Sequence, residues 1–232
     1  MSELLSVLMP FYNERGTLEE IVRRVLASDP GVPLELVMVD DCAADGSGEI
    51  ARRLAGSDGR IRLVCHDRNR GKGAGVRTAI AAATGTIAVI QDADLEYDPA
   101  EYRKLIAPIL AGEADAVYGS RFLGGAPKKA LGSSLFANKL LTGLSNLVNG
   151  LRLTDMETCF KAVRTDLLKG LWLTSDRFGI EPEITARLAR AHARIVEVPI
   201  SYSPRSYAEG KKISWRDGAA AVWHILKFRF RP

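Results

Sequence analysis

The sequence predicts an α/β fold: a mostly parallel central sheet with helices on both faces. Three observations point there. Short apolar runs alternate with helical patterns through the first half of the chain. The runs are apolar almost without interruption, as befits strands covered on both sides. The residues after each run are polar or charged, and an open parallel sheet binds ligands outside the carboxyl ends of its strands.

Strands are expected at residues 4–9, 34–39, 61–65, 86–90 and 114–118, and helices between them at 17–28, 45–55, 73–83 and 99–111. Thr17 and Glu20 stand at capping-box spacing. Asp98 followed by Pro99 offers an N-cap with proline at the first helical position. Beyond residue 119 the pattern changes. A helix is expected at 135–150, with Phe136, Leu140, Leu144, Leu147 and Leu151 near one face. Short strands follow at 158–163 and 195–198, and helices at 181–191 and 214–230. In the last helix Trp215, Ala219, Val222, Trp223, Leu226 and Phe230 make one stripe. No repeat, low-complexity stretch or linker interrupts the 232 residues, so a single domain is expected over 1–232.

Hydrophobic residues make up 47% of the chain, which excludes a largely disordered protein. The net charge of +4 is a mild basic bias. Three scattered cysteines, Cys42, Cys65 and Cys159, fit neither a disulfide framework nor a zinc cluster and suit a reducing compartment. Glu3 and Pro10 make the N-terminus a poor signal peptide. No apolar run approaches the ~20 residues of a bilayer span. The expectation is a cytoplasmic protein, soluble or lying on a membrane surface. His66, His192 and His224 lack ligand spacing and read as structural.

Polar groups follow each of the first five strands: residues 10–14, Asp40-Asp41, residues 67–73, Asp92-Ala93-Asp94 and Gly119-Ser120-Arg121. Familiar nucleotide motifs are absent. The first strand is followed by Pro-Phe-Tyr-Asn-Glu, not by G-x-G-x-x-G, and His66 stands where a P-loop would need its first glycine. Gly71, Gly73 and Gly75 still precede a helix whose N-terminus favours anions, either to admit a ligand or as a plain glycine turn. Asp92 and Asp94 are the most informative pair. Two carboxylates one residue apart at a strand end repel each other, and Mg²⁺ or Mn²⁺ relieves that repulsion while keeping positions for phosphate oxygens. Glu96 is near enough to join them. A solvated acidic turn leading to the Asp98 cap is the alternative.

These segments resemble family 2 inverting glycosyltransferases, and among them the dolichyl- and polyprenyl-phosphate sugar synthases. The matching stretches are VLMPFYNE (7–14), VMVDD with DGS (37–41, 45–47), NRGKGAGVR (69–77), DADLEYDP (92–99), GSRF (119–122) and PRSYAEGKKISW (204–215). They run in family order over nearly the whole chain. The resemblance implies the GT-A nucleotide-diphospho-sugar transferase fold, with residues 1–119 binding the nucleotide-sugar and 120–232 the acceptor. It implies that Pro10, Tyr12 and Glu14 hold the nucleoside and that Asp40 and Asp41 line the base and ribose pocket. Gly71 and Lys72 would pass beside the nucleotide, and Asp92, Asp94 and position 96 would hold metal and diphosphate. This chain has glutamate at 96 where the most similar synthase type has glutamine. Cys42, Ala43 and Ala44 also separate Asp41 from Asp45 in a loop that is usually acidic-acidic-glycine-serine.

Charge distribution bears on the acceptor. No Asp or Glu occurs between residues 116 and 154, a stretch carrying Arg121, Lys128, Lys129, Lys139 and Arg152. Beyond residue 200, Arg205, Lys211, Lys212, Arg216, Lys227, Arg229 and Arg231 face only Glu209 and Asp217. One-signed segments of this kind suit a lipid phosphate in an anionic leaflet. The C-terminal helix and the 135–150 helix then lie in the headgroup region, or alternatively pack in the core or against a second copy in a homodimer. A lipid phosphate is already ionised and needs orientation, which Arg121 and Arg205 can give through forked contacts, with Lys129, Ser133 and Lys212 as weaker candidates. A sugar hydroxyl would need a base, and Asp155 or Glu157 would be that base. The expected reaction is metal-dependent inverting transfer of a hexose from a UDP- or GDP-sugar to polyprenyl phosphate. Asp92, Asp94 and Arg121 are its candidate catalytic residues. The non-enzyme alternative, a basic nucleic-acid-binding module, is disfavoured by the acidic pairs on the expected site.

Overall fold

The computed structural model describes residues 3–124, 132–204 and 215–230, with the side chains of 132–136 and 215–219 outside that description. The apolar runs become β1 (Leu5–Phe11), β2 (Leu34–Asp40), β3 (Ile61–Cys65), β4 (Ile87–Ile90) and β5 (Ala116–Ser120). Two later strands, β6 (Lys161–Arg164) and β7 (Ile195–Pro199), complete a seven-stranded sheet of order β3-β2-β1-β4-β6-β5-β7. β1, β2 and β5 are buried along their whole length, as their unbroken apolar character requires, apart from the half-buried Glu35 of β2.

The helices are α1 (Leu18–Ala27), α2 (Ser47–Ser57), α3 (Lys72–Ala82), α4 (Tyr102–Leu110), α5 (Gly132–Asn149), α6 (Thr165–Gly170), α7 (Ile180–Arg190) and α8 (Trp215–Phe230). Asp98 caps the Pro99–Glu101 3₁₀ turn that leads into α4, accepting from the Ala100 N–H at 3.0 Å. The capping box expected at Thr17 does not form. Its hydroxyl turns back to the Glu14 carboxylate at 2.9 Å, and Glu20 pairs with Arg23 and Arg24 instead. Helix α6 has no counterpart in the sequence reading, because six residues are too few to show a period.

One strand runs against the rest. β1, β2, β3 and β4 are mutually parallel, as are β5 and β7, but β6 lies antiparallel between β4 and β5. β5 ends at the carboxyl edge, the chain leaves through α5, and it re-enters the sheet from that same edge, so β6 must run the other way. Its amino end therefore joins the carboxyl ends of the parallel strands.

Helix α8 packs against α5 and α7 through Ala221, Ile225 and Phe228. Of the apolar stripe read from its sequence, Val222, Trp223, Leu226 and Phe230 are exposed, and the side chains of Trp215 and Ala219 lie outside the described residues. On α5, Leu140 and Leu147 are likewise exposed, while Leu141, Leu144 and Val148 meet the core. Among the described residues, no helix is long and apolar enough to cross a membrane.

Candidate active site

Strand register gathers the site. Phe11 lies beside Asp40, and Asp40 beside Cys65, so the exits of β1, β2 and β3 are level. Leu8 lies beside Ile90, which brings Asp92 to the same edge. Three of those exits hold a non-glycine residue in the left-handed region: Asn13 after β1 (φ 54°), Cys42 after β2 (φ 61°) and Leu95 after β4 (φ 65°). Such conformations cost of order 1–3 kcal/mol and persist where surrounding structure imposes them. Here the loops bind one another. The Ala44 N–H donates to the Asn13 side chain (2.9 Å), and the Arg15 N–H donates to Asp45 (2.9 Å).

The acidic pair at the end of β2 is engaged inside the protein. Asp40 accepts from the Ala43 N–H at 2.8 Å. Asp41 accepts from the N–H groups of Arg70 (2.9 Å) and Gly71 (2.8 Å) and meets His66 Nδ1 at 2.7 Å. His66 Nε2 meets the Thr78 hydroxyl at 2.9 Å, so this histidine fastens the β3–α3 loop to its helix. Tyr12 is exposed, Glu14 receives Thr17, and Pro10 lies at the end of β1 against Gly75.

The glycines at the start of α3 serve chain packing. A β-carbon at Gly73 would fall 2.3 Å from the Ser175 carbonyl oxygen, and one at Gly71 (φ 95°) would fall 2.4 Å from that of Asp176. The Asp176 carbonyl also takes the Ala74 N–H at 3.1 Å. Segment 175–177 thus seats on the first turn of α3, where the sequence suggested either a ligand approach or a plain turn.

Lys72 opens α3, and its ammonium reaches the end of β4. It lies 2.9 and 3.0 Å from the two Asp92 oxygens and 2.9 Å from Glu181 Oε1, at the start of α7. Burial alone would lower its pKa; the charges of Asp92 and Glu181 prevail and hold the ammonium protonated. Asp94 accepts from the Glu96 N–H at 3.1 Å. Glu96 accepts from the Tyr202 hydroxyl at 2.8 Å, which draws it toward the segment after β7. Among the described residues, no group of three or more His, Cys, Asp or Glu side chains is placed to hold a metal ion. The site nonetheless suits a divalent cation. Mg²⁺ and Mn²⁺ need only one or two carboxylates where phosphate supplies the rest, and a cation, the Lys72 ammonium, already stands against Asp92.

Arg121 is held by Asp155. Its Nε and Nη2 donate to the two Asp155 oxygens at 2.7 Å each, and its backbone N–H adds a third bond at 3.0 Å. The guanidinium also stacks over Tyr202 at 5.0 Å. The forked contact expected for a ligand is therefore spent on Asp155. Glu157 is half-buried, and its Oε1 is enclosed without a hydrogen-bond partner. Burial, then the negative charge of Glu181, pushes its pKa up to about 7. Lys161 is fully buried beneath it, donating to the carbonyls of Met156 (2.9 Å) and Thr158. Lys129, Arg205 and Lys212 lie outside the described residues, and Ser133 falls on the first turn of α5 with its side chain outside them. The sequence reading missed Glu181, Tyr202 and Lys161. Glu181 carried a faint signal, since Glu-Pro-Glu at a helix start is an acidic first turn whose proline leaves little freedom. Lys161 gave none, because its burial depends on β6 turning over.

Residues 6–172 match the family model described as "Glycosyl transferase family 2". The chain belongs to that family. It is 28% identical over 215 residues to an undecaprenyl-phosphate 4-deoxy-4-formamido-L-arabinose transferase of Edwardsiella ictaluri, covering 90% of this chain and 63% of the relative. It is 30% identical over 213 residues to a dolichol-phosphate mannosyltransferase of Pyrococcus furiosus, covering 89% of this chain and 58% of the relative. The chain thus spans about three-fifths of these relatives. Its whole length superposes on glucosyl-3-phosphoglycerate synthase from Mycobacterium tuberculosis, solved with Mn²⁺, UDP and phosphoglyceric acid (TM-score 0.72, 21% identity, 80% of that chain). This family 2 domain has the GT-A fold.

Proposed function

We propose that this domain transfers a hexose, with inversion, from a UDP- or GDP-sugar to polyprenyl phosphate at the cytoplasmic face of a membrane. The observation that carries the acceptor is the pair of relatives just described, each matched over about nine-tenths of this chain and each named for a polyprenyl-phosphate substrate. The outward apolar faces of α5 and α8 support it, because Trp223, Phe230, Leu140 and Leu147, with Lys139 and Arg229 beside them, suit a headgroup layer.

Asp92 and Asp94 would hold Mg²⁺ or Mn²⁺, which when bound supplies charge neutralisation for the leaving diphosphate. Lys72 adds a fixed positive charge on the same side. The exits of β1 and β2, with Tyr12 and Glu14, would receive the nucleoside. A phosphate acceptor is ionised near neutral pH and attacks without surrendering a proton, so its delivery is a matter of orientation. Arg121, fixed by Asp155 and Tyr202, would be a preset contact for the acceptor phosphate. Arg205 and Lys212 follow the segment that carries Tyr202.

One observation favours a second reading, transfer to a hydroxyl. Glu157, with a pKa near 7 and an unpartnered oxygen, has the properties of a general base. Asp155 does not, since Arg121 holds both its oxygens. Release of UDP or GDP from hexose donors separates the readings. Polyprenyl phosphate should stimulate release, polyprenol should not, and Glu157→Gln should keep most of the turnover. Stimulation by polyprenol, or a loss of about 100-fold or more in Glu157→Gln, would establish the hydroxyl reading instead.

A further inference from the structure

The inference concerns Glu181 and rests on the metal-dependent reading above. The Lys72 ammonium is shared between two carboxylates, touching both oxygens of Asp92 and one of Glu181. A divalent cation that uses Asp92 must take at least one of the oxygens Lys72 now holds. A lysine nitrogen and a metal ion cannot both sit at bonding distance from one oxygen on the same side. The like charge of the metal then pushes the ammonium away from Asp92, and that ammonium is nearly enclosed, with 19% of its side chain exposed. Moving a charge from one anion into an unpaired, half-dry place is costly. Glu181 removes that cost. It comes from a different element, is 8% exposed at the first turn of α7, and already contacts the ammonium, so Lys72 can leave Asp92 without becoming unpaired.

We propose that Glu181 is a positioning residue that draws Lys72 off Asp92, and so sets the affinity of the β4 site for its divalent cation. Lys72 is the internal competitor: it neutralises Asp92 while the metal is away. The arrangement makes metal affinity depend on a carboxylate that need not touch the metal.

Direct Mn²⁺ binding tests this without turnover, for instance by electron paramagnetic resonance of free Mn²⁺ titrated against the full chain. Glu181→Gln should weaken Mn²⁺ binding by about fivefold or more, within the usual span of coupling between sites. Glu181→Asp, which keeps the charge, should recover most of it. Lys72→Met should tighten Mn²⁺ binding, and in that background Glu181→Gln should no longer weaken it. Wild-type affinity in Glu181→Gln would overturn the proposal. So would equal weakening by Glu181→Gln with and without Lys72, which would make Glu181 a metal ligand. A wild-type chain that binds no Mn²⁺ even with UDP or GDP present would overturn the metal reading itself. The two failures are thereby distinct.

Discussion

Glu157 carries the sharpest consequence at the scale of single residues. Its carboxyl is enclosed, faces the negative charge of Glu181, and has an oxygen to which nothing donates. Its pKa is raised from an ordinary 4.5 to about 7, so the folded chain holds this proton more tightly than the unfolded chain does. The stabilisation it gives is complete below about pH 4.5 and is lost as pH rises through about 7. Burial acts first; the charges of Glu181 and Asp155 add to it, and those of Lys161 and Arg121 oppose it. Glu157→Gln keeps the shape and removes the charge. Urea unfolding from pH 5 to 8 should show the variant gaining stability relative to wild type as pH rises; a constant difference would contradict the assignment. Residue identities at the site were legible wherever a side chain follows a strand directly, as for Asp40, Asp41, Asp92, Asp94 and Arg121. Their partners were not. Nothing local in the sequence pairs Arg121 with Asp155, or Lys72 with both Asp92 and Glu181, because those contacts join distant segments that meet only when the sheet forms.

At the scale of elements, the start of α3 is the joint that holds Lys72 against Asp92. Gly73 leaves no room for a β-carbon against the Ser175 carbonyl, a backbone atom that cannot rotate away. Gly73→Ala should cost about 1–3 kcal/mol, as overpacking does, and should raise KM for the donor by displacing Lys72. An unchanged melting temperature with unchanged donor KM would show that segment 175–177 is not seated on α3. Helix α8 makes the complementary case. Its buried face of Ala221, Ile225 and Phe228 secures it, which leaves Trp223 and Phe230 outward. Trp223→Glu should reduce co-sedimentation with phosphatidylglycerol vesicles while leaving the melting temperature within a few degrees of wild type. A fall in stability without a change in vesicle binding would instead assign that face to protein packing. The stripe on α8 was legible as a stripe. Which side of it faces water was not, because α8 is apolar on two adjoining faces and only the positions of α5 and α7 decide between them.

At the scale of the molecule, one sheet spans both halves of the chain. A boundary at 119/120 falls within β5, and β6 ties the two halves together between β4 and β5. The parallel half was legible because buried parallel strands write themselves as apolar runs. The reversal at β6 was not, since direction within a sheet leaves no mark on a four-residue strand. That reversal is what brings Glu157, Cys159 and Lys161 to the edge where Asp92 and Asp94 stand. It sets Glu157, whose pKa is raised to about 7, on the same sheet edge as Asp92 and Asp94. The decisive experiment supplies the chain with Mg²⁺ or Mn²⁺, radiolabelled UDP- and GDP-hexoses, and vesicles containing polyprenyl phosphate, and follows label into the organic phase. The predicted result is a labelled glycolipid, formed with one of these donors and absent when polyprenyl phosphate is replaced by polyprenol. Label confined to the aqueous phase with every hexose donor would contradict the account.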